Sequence, residues 1–229
     1  MTLTADETGA ILLSLRVAAT ATALTLPLAL LTAQALARER SVLRPILDAV
    51  VHLPLVLPPV ATGYVLLLLF GRAGPLGRLL AHIGVILAFR WTGAALASAI
   101  MAFPLMVRPI RLSIEAIDPE LLEAARTLGA SRLNRFVRIT VPLAAPGLIA
   151  GAVLGFAKAL GEFGATITFV AAIPGATLTL PTAIWEAAQT PGAEGHALLL
   201  CAIAAAIAVG AIFVAEIVSR RLEGRRKPG

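Results

Sequence analysis

The sequence predicts an all-α integral membrane protein with five transmembrane helices, and three observations point there. Of its 229 residues, 59% are hydrophobic and only 14% are charged, against about 25% in a soluble domain. That leaves too little polar surface to cover a water-soluble globule, and the mean hydropathy is +0.91. The apolar residues also gather into five long runs, each sufficient for a hydrocarbon core of about 30 Å. Finally, the basic residues behind the net charge of +6 cluster between and after those runs. Cytoplasmic loops look like that, so membrane lipid is an expected partner and nucleic acid is not.

A single domain over 1–229 is expected. The first span covers 11–36, from Ile11 to Leu36, with Pro27 as a kink. The preceding "MTLTADETGA" is acidic and no cleavage pattern closes the run early, so a retained helix is read rather than a signal peptide. Arg16 lies near its outer end, where it can snorkel. The second span, 46–70, holds Pro54, Pro58 and Pro59. Proline removes a backbone donor, so this segment fits either a hinge that exposes carbonyl dipoles to substrate or a bend that suits packing. The third span is 88–110, with Trp91 as an interfacial anchor. The fourth is 142–164 and the fifth 196–218. Segment 165–195 is too polar to span and is placed outside. Within it "LPTAIWEAAQTPG" reads as a short helix, started by Pro181 and stopped by Pro191-Gly192. A gate element and a cap on the bundle both fit that helix.

Arginine and lysine set the orientation. Loop one carries Arg38, Arg40 and Arg44. Loop three carries Arg108, Arg111, Arg126, Arg132, Arg135 and Arg138, and the tail Arg220, Arg221, Arg225, Arg226 and Lys227. The other side has only Arg72, Arg78 and Arg90 outside the spans. The N-terminus is therefore expected outside and the C-terminus in the cytoplasm. No repeat suggests two inverted halves, and five helices are few for a pathway, which favours an oligomer.

The fourth span carries Gly147, Gly151 and Gly155 four residues apart, a stripe that lets helix backbones approach closely. With Gly147 at 0°, Lys158 and Glu162 fall at about 20° and 60°, on the same face and four residues apart. Charges within a span face protein or water. Two readings stand: a pair that lines or gates the pathway, and an ion pair that fixes helix packing. Cys201, within an apolar run, is read as a small buried core residue. His52, His82 and His196 have no second ligand at metal spacing, so they are read as structural or solvated and no metal site is expected.

Loop 113–141 is unlike the rest. Asp118 is a good N-cap, Pro119 suits the first helical position and Gly129 the C′ position, giving a helix of about ten residues. Leu121, Leu122, Ala125 and Leu128 recur at helical spacing as one narrow apolar face, and Ala124 and Ala125 leave room for another surface. Ser131 can cap a second short helix. A connecting loop resting on the membrane has the same composition.

Glu123-Ala124-Ala125, three residues, Gly129, nine residues, then Ile139-Thr140-Val141-Pro142 resembles the cytoplasmic loop pattern of ABC importer permeases, with Val141 where leucine is usual. "HLPLVLPPVATGY", "FPLMVRPIRL" and "LGEFGATITF" are similar to the molybdate branch of the type I family, over about residues 8–220. The resemblance implies a five-helix permease with a coupling helix between spans 3 and 4, in which Glu123, Ala124, Ala125, Leu128 and Gly129 dock onto a separate cytoplasmic ATPase. It also implies a homodimer, an extracytoplasmic oxyanion-binding protein, and ATP and Mg held by the partner ATPase. No cofactor is expected on this chain, which has no G-x-x-x-x-G-K-[ST] loop. No G-x-S-x-G or H-E-x-x-H motif occurs either, and no enzyme is expected. Sulfate, thiosulfate or tungstate as substrate, and an ATP-independent channel or secondary carrier, are the alternatives.

Overall fold

The protein is described by a computed structural model over residues 3–38 and 42–224. Arg40, Arg225, Arg226 and Lys227 lie outside the described residues, as do the side chains of Arg220 and Arg221. The described chain is helical, without strands.

Helix α1 (Ala5–Arg38) runs unbroken through Pro27. It opens on a reciprocal cap: Glu7 N–H donates to Thr4 Oγ1 at 3.2 Å and Thr4 N–H donates to Glu7 Oε2 at 2.7 Å. Small residues on its inner face, Ala18, Ala21, Ala29 and Ala33, are buried. They let α1 lie along α5 (Trp91–Glu115), the most enclosed of the long helices.

The expected second span is not one helix. It is α2 (Leu43–Val56) and α3 (Pro59–Phe70), bent by 105°. The break has a covalent cause. Leu57 and Pro58 are extended, at ψ 141° and 133°, because the residue before a proline is pushed out of the helical region. Pro54 stays inside α2. A short helix, α4 (Pro75–His82), then leads to α5, which continues to Glu115, five residues past the expected end, carrying Pro104 and Pro109.

The chain after α5 holds α6 (Pro119–Thr127) and α7 (Arg132–Arg135), followed by a wider π turn at Phe136–Thr140 and the short α8 (Val141–Leu143). The expected fourth span is shortened to α9 (Ala145–Leu160), bent by 68° from Arg132–Leu143. Pro142 and Pro146 flank that bend, and neither has an N–H to carry the ladder across.

Segment 165–195, read as an external segment with one short helix, also packs partly into the helix bundle. After a break at 161–163 the chain forms α10 (Gly164–Val170), and Ala165, Thr166, Phe169 and Val170 are buried against α3 and α5. Helix α11 (Leu180–Gln189) starts where expected. Ser14 Oγ of α1 accepts the Leu180 N–H at 2.6 Å, and Trp185 packs against Phe163 with ring centroids 5.9 Å apart and the rings tilted by 39°. Helix α12 (Glu194–Gly224) runs along the outside. Only 6% of its most apolar window is buried, and Cys201 on it is exposed rather than in the core, a correction to the sequence reading.

Three helices (α1, α5 and α12) are long and apolar enough to cross a membrane alone, and each bent pair counted as one span raises the number to five.

Candidate functional site

Three segments carry the predicted functional residues. In the first, α6 is closed at both ends by its own sequence. Asp118 Oδ1 accepts the Glu120 N–H at 2.9 Å. At the other end Gly129 takes φ +83°, which only glycine adopts without strain. The Ala130 N–H then reaches the Ala125 carbonyl at 3.0 Å and the Gly129 N–H the Arg126 carbonyl at 3.0 Å, the paired bonds of a Schellman end. Ser131 Oγ caps α7 by accepting the Asn134 N–H at 3.2 Å.

This helix is held fixed and left uncovered. Glu123, Ala124, Leu121 and Leu128 are exposed, while Leu122 and Ala125 are half-buried. The apolar stripe is therefore split, with Leu122 and Ala125 turned toward the protein and Leu121 and Leu128 away from it. Leu128 is 87% exposed, a large cost for an apolar side chain unless a second surface meets it. Glu123 pairs with Arg126 at 3.3 Å.

The second segment is the glycine face of α9 and the break after it. Gly147, Gly151 and Gly155 are buried against α5. A methyl group at Gly151 would lie 2.9 Å from the Met106 carbonyl oxygen, and one at Gly155 would lie 2.5 Å from Met106 Sδ. The stripe thus packs two helices of one chain together. At its end Lys158 Nζ meets Glu162 Oε2 at 2.6 Å, with Glu162 only 1% exposed and the lysine side chain 28% exposed. The other carboxylate oxygen, Oε1, accepts the Ala165 N–H at 3.0 Å. Glu162 therefore ties the end of α9 to the first turn of α10. Thr166 Oγ1 strengthens the same turn by donating to the Phe163 carbonyl at 2.8 Å. The face shared by the glycines, Lys158 and Glu162 was readable as a helical period. The break between the helices was not.

Pro58 and Pro59 stand at the exposed α2–α3 elbow, and Pro54 one turn before it is half-buried. Pro59 packs on the start of α10, where a methyl group at Gly164 would lie 2.7 Å from its Cβ. Sequence reasoning missed a polar cluster between α2 and α5. Arg111 bridges Asp48 at 2.8 Å and Glu115 at 3.0 Å, and Arg44 joins Glu115 at 2.6 Å. His52 Nδ1 lies 2.8 Å from the Asp48 carbonyl oxygen. The signal was present: Arg44 and Asp48, and Arg111 and Glu115, are each four apart, one helical turn.

On the opposite side Arg16 stacks over Trp91 at 3.8 Å from the ring centre. His196 Nδ1 meets Glu7 Oε1 at 2.8 Å, tying the start of α12 to the start of α1. The Thr4 N–H donated to the Glu7 carboxylate, with His196 beside it, holds that carboxyl below its usual value. Among the described residues no group of three or more His, Cys, Asp or Glu could hold a metal ion.

Residues 25–227 match the family described as "Binding-protein-dependent transport system inner membrane component". The chain is 51% identical over 221 residues to the "Molybdenum transport system permease protein ModB" of Escherichia coli (strain K12), covering 96% of each. It is 48% identical to the protein of the same name from Haemophilus influenzae, over 97% of this chain and 98% of that one. Among solved structures, a chain of a bacterial ABC transporter importing the acidic polysaccharide alginate superposes with a TM-score of 0.77 at 20% identity, covering 96% of this chain and 80% of that one. A chain of the MetNI methionine ABC transporter, in an inward-facing form, gives 0.74 at 15% identity, over 93% and 94%. At such identities these two likenesses concern the fold alone.

Proposed function

Because the chain belongs to the family of binding-protein-dependent transport system inner membrane components, we propose that it is the permease of an ATP-driven importer that carries molybdate into the cell. It is a multi-pass inner-membrane protein and a transport subunit, not an enzyme. The observation that carries molybdate is identity near one half, over nearly the whole length, with two molybdenum permeases.

Permeases of ABC importers work with an ATPase and an extracytoplasmic binding protein, and a related alginate transporter has been solved with its ligand-bound periplasmic protein. The finer assembly is our reading. Two copies of this chain form the pathway, with the N-terminus outside and the C-terminus in the cytoplasm. Each presents α6 to an ATPase subunit, which holds ATP and Mg. Glu123, Ala124, Ala125, Leu128 and Gly129 form the docking surface. The support is local: a capped, rigid helix with a bare Leu128 and small side chains beside it.

When the ATPase pair closes on ATP, the two α6 helices move together and the pathway opens outward. Movement at α6 reaches the spans through α7 and the bend before α9. Lys158 and Glu162 keep the α9–α10 break in register while the pathway changes. Their partners favour this positioning role over contact with substrate, since both oxygens of Glu162 are already engaged. Pro58 and Pro59 set the α2–α3 elbow. The permease holds the anion weakly, and selection rests with the binding protein.

Proteoliposomes containing this chain, its ATPase and its binding protein test the reading. ATP-dependent uptake of molybdate that excess sulfate or thiosulfate does not suppress is expected. Uptake that follows sulfate instead, or that proceeds without the ATPase, overturns it.

A further inference from the structure

A cavity of about 590 Å³ lies where the ends of α1 and α5 and the start of α2 meet the root of α6. Gln34, Arg38, Arg44, Glu115, Leu122 and Thr140 line it. Arg44 pairs with Glu115 and Arg111 with both Glu115 and Asp48, so these four charges balance, while Arg38, beside Gln34, has no carboxylate partner among the described residues. Thr140 is 1% exposed, and its hydroxyl has no hydrogen-bond partner. A buried hydroxyl left unpaired costs about 1–3 kcal/mol. Here it adjoins a space larger than the roughly 300 Å³ at which small-molecule pockets begin. Two guanidinium groups and a hydroxyl donor are the groups that hold a tetrahedral oxyanion. The position selects which one. The expected first span ends at Leu36 and α2 begins at Leu43, so by the orientation proposed above the cavity is placed beside the headgroups of the cytoplasmic leaflet.

We propose that this cavity seats a phosphate group, with Arg38 and Arg44 facing its charge and Thr140 donating to one of its oxygens. Its source is an anionic phospholipid, in the cytoplasmic leaflet by the orientation proposed above, or phosphate free in the cytosol. Leu122 belongs to α6, so an occupied cavity braces the base of the docking helix.

The full chain in nanodiscs tests this without its transport partners, so failure here is separate from failure of the transport reading. Thermal unfolding is measured in phosphatidylcholine discs, in discs containing phosphatidylglycerol, and in phosphatidylcholine discs with added inorganic phosphate. Phosphatidylglycerol should raise the midpoint of the parent by about 3 °C or more, as a ligand at roughly ten times its Kd does for a chain of this size. Thr140→Val should unfold in phosphatidylcholine no earlier than the parent, because it removes an unpaired hydroxyl, and should lose most of the gain. Arg38→Gln should lose it too. A rise with inorganic phosphate alone, lost in the same variants, keeps the site and assigns the free anion. No rise with either source, or a rise that both variants keep in full, overturns the proposal.

Discussion

Glu123–Arg126 and Lys158–Glu162 are both acid–base pairs within about one helical turn, yet they do opposite work. The first is held at 3.3 Å with both side chains more than 60% exposed. The second is held at 2.6 Å with its carboxylate 1% exposed. A solvated pair contributes less than about 1 kcal/mol, and its groups stay free to meet a new surface. An enclosed pair is different. Its carboxylate cannot return to water, and it caps α10 through the Ala165 N–H. One region is stiff inside and bare outside, as a docking piece needs. The other is sealed, as a joint between two helices needs.

The comparison breaks most easily at the sealed pair. Lys158→Met should cost toward the lower end of about 3–5 kcal/mol, because it leaves the Glu162 carboxylate without its cation. Thermal unfolding in detergent measures this. Adding Glu162→Gln should recover much of the loss, since an amide oxygen still accepts the Ala165 N–H. That double variant should import near the parent rate in proteoliposomes, and loss of import in a well-folded double variant would assign the pair to the pathway instead. Next in size, Gly155→Leu forces a side chain into Met106 and should cost about 1–3 kcal/mol, read by the same unfolding curve. Gly129→Ala at φ +83° should cost about 1 kcal/mol. Arg126→Ala, at the solvated pair, should shift unfolding by well under 1 kcal/mol.

Much of α6 and its surroundings was legible because their determinants are local. The Asp118 cap, Pro119, the Ser131 cap and the left-handed Gly129 each act within a few residues, and each appears where its chemistry put it. The split of the apolar face was not legible. Leu121 and Leu122 are adjacent and equally apolar, and only the packed chain decides which one turns inward. Hydropathy failed in the same way elsewhere. It marked 46–70 as one apolar run, where only the prolines signalled a hinge or bend and not its 105° size. It placed Cys201 in a core because lipid-facing and protein-facing positions carry the same residues. It did not show that 165–170 pack into the bundle, where Thr166 and Thr168 bond to backbone carbonyls rather than to water.

The central claim is that residues 123–129 carry motion between this chain and an ATPase. The most direct measurement is ATPase stimulation by the substrate-loaded binding protein in the reconstituted assembly, comparing the parent with Glu123→Arg. The account predicts a variant that inserts and unfolds like the parent, since Glu123 supports no buried contact, but whose ATPase is no longer stimulated. Stimulation equal to the parent would contradict it.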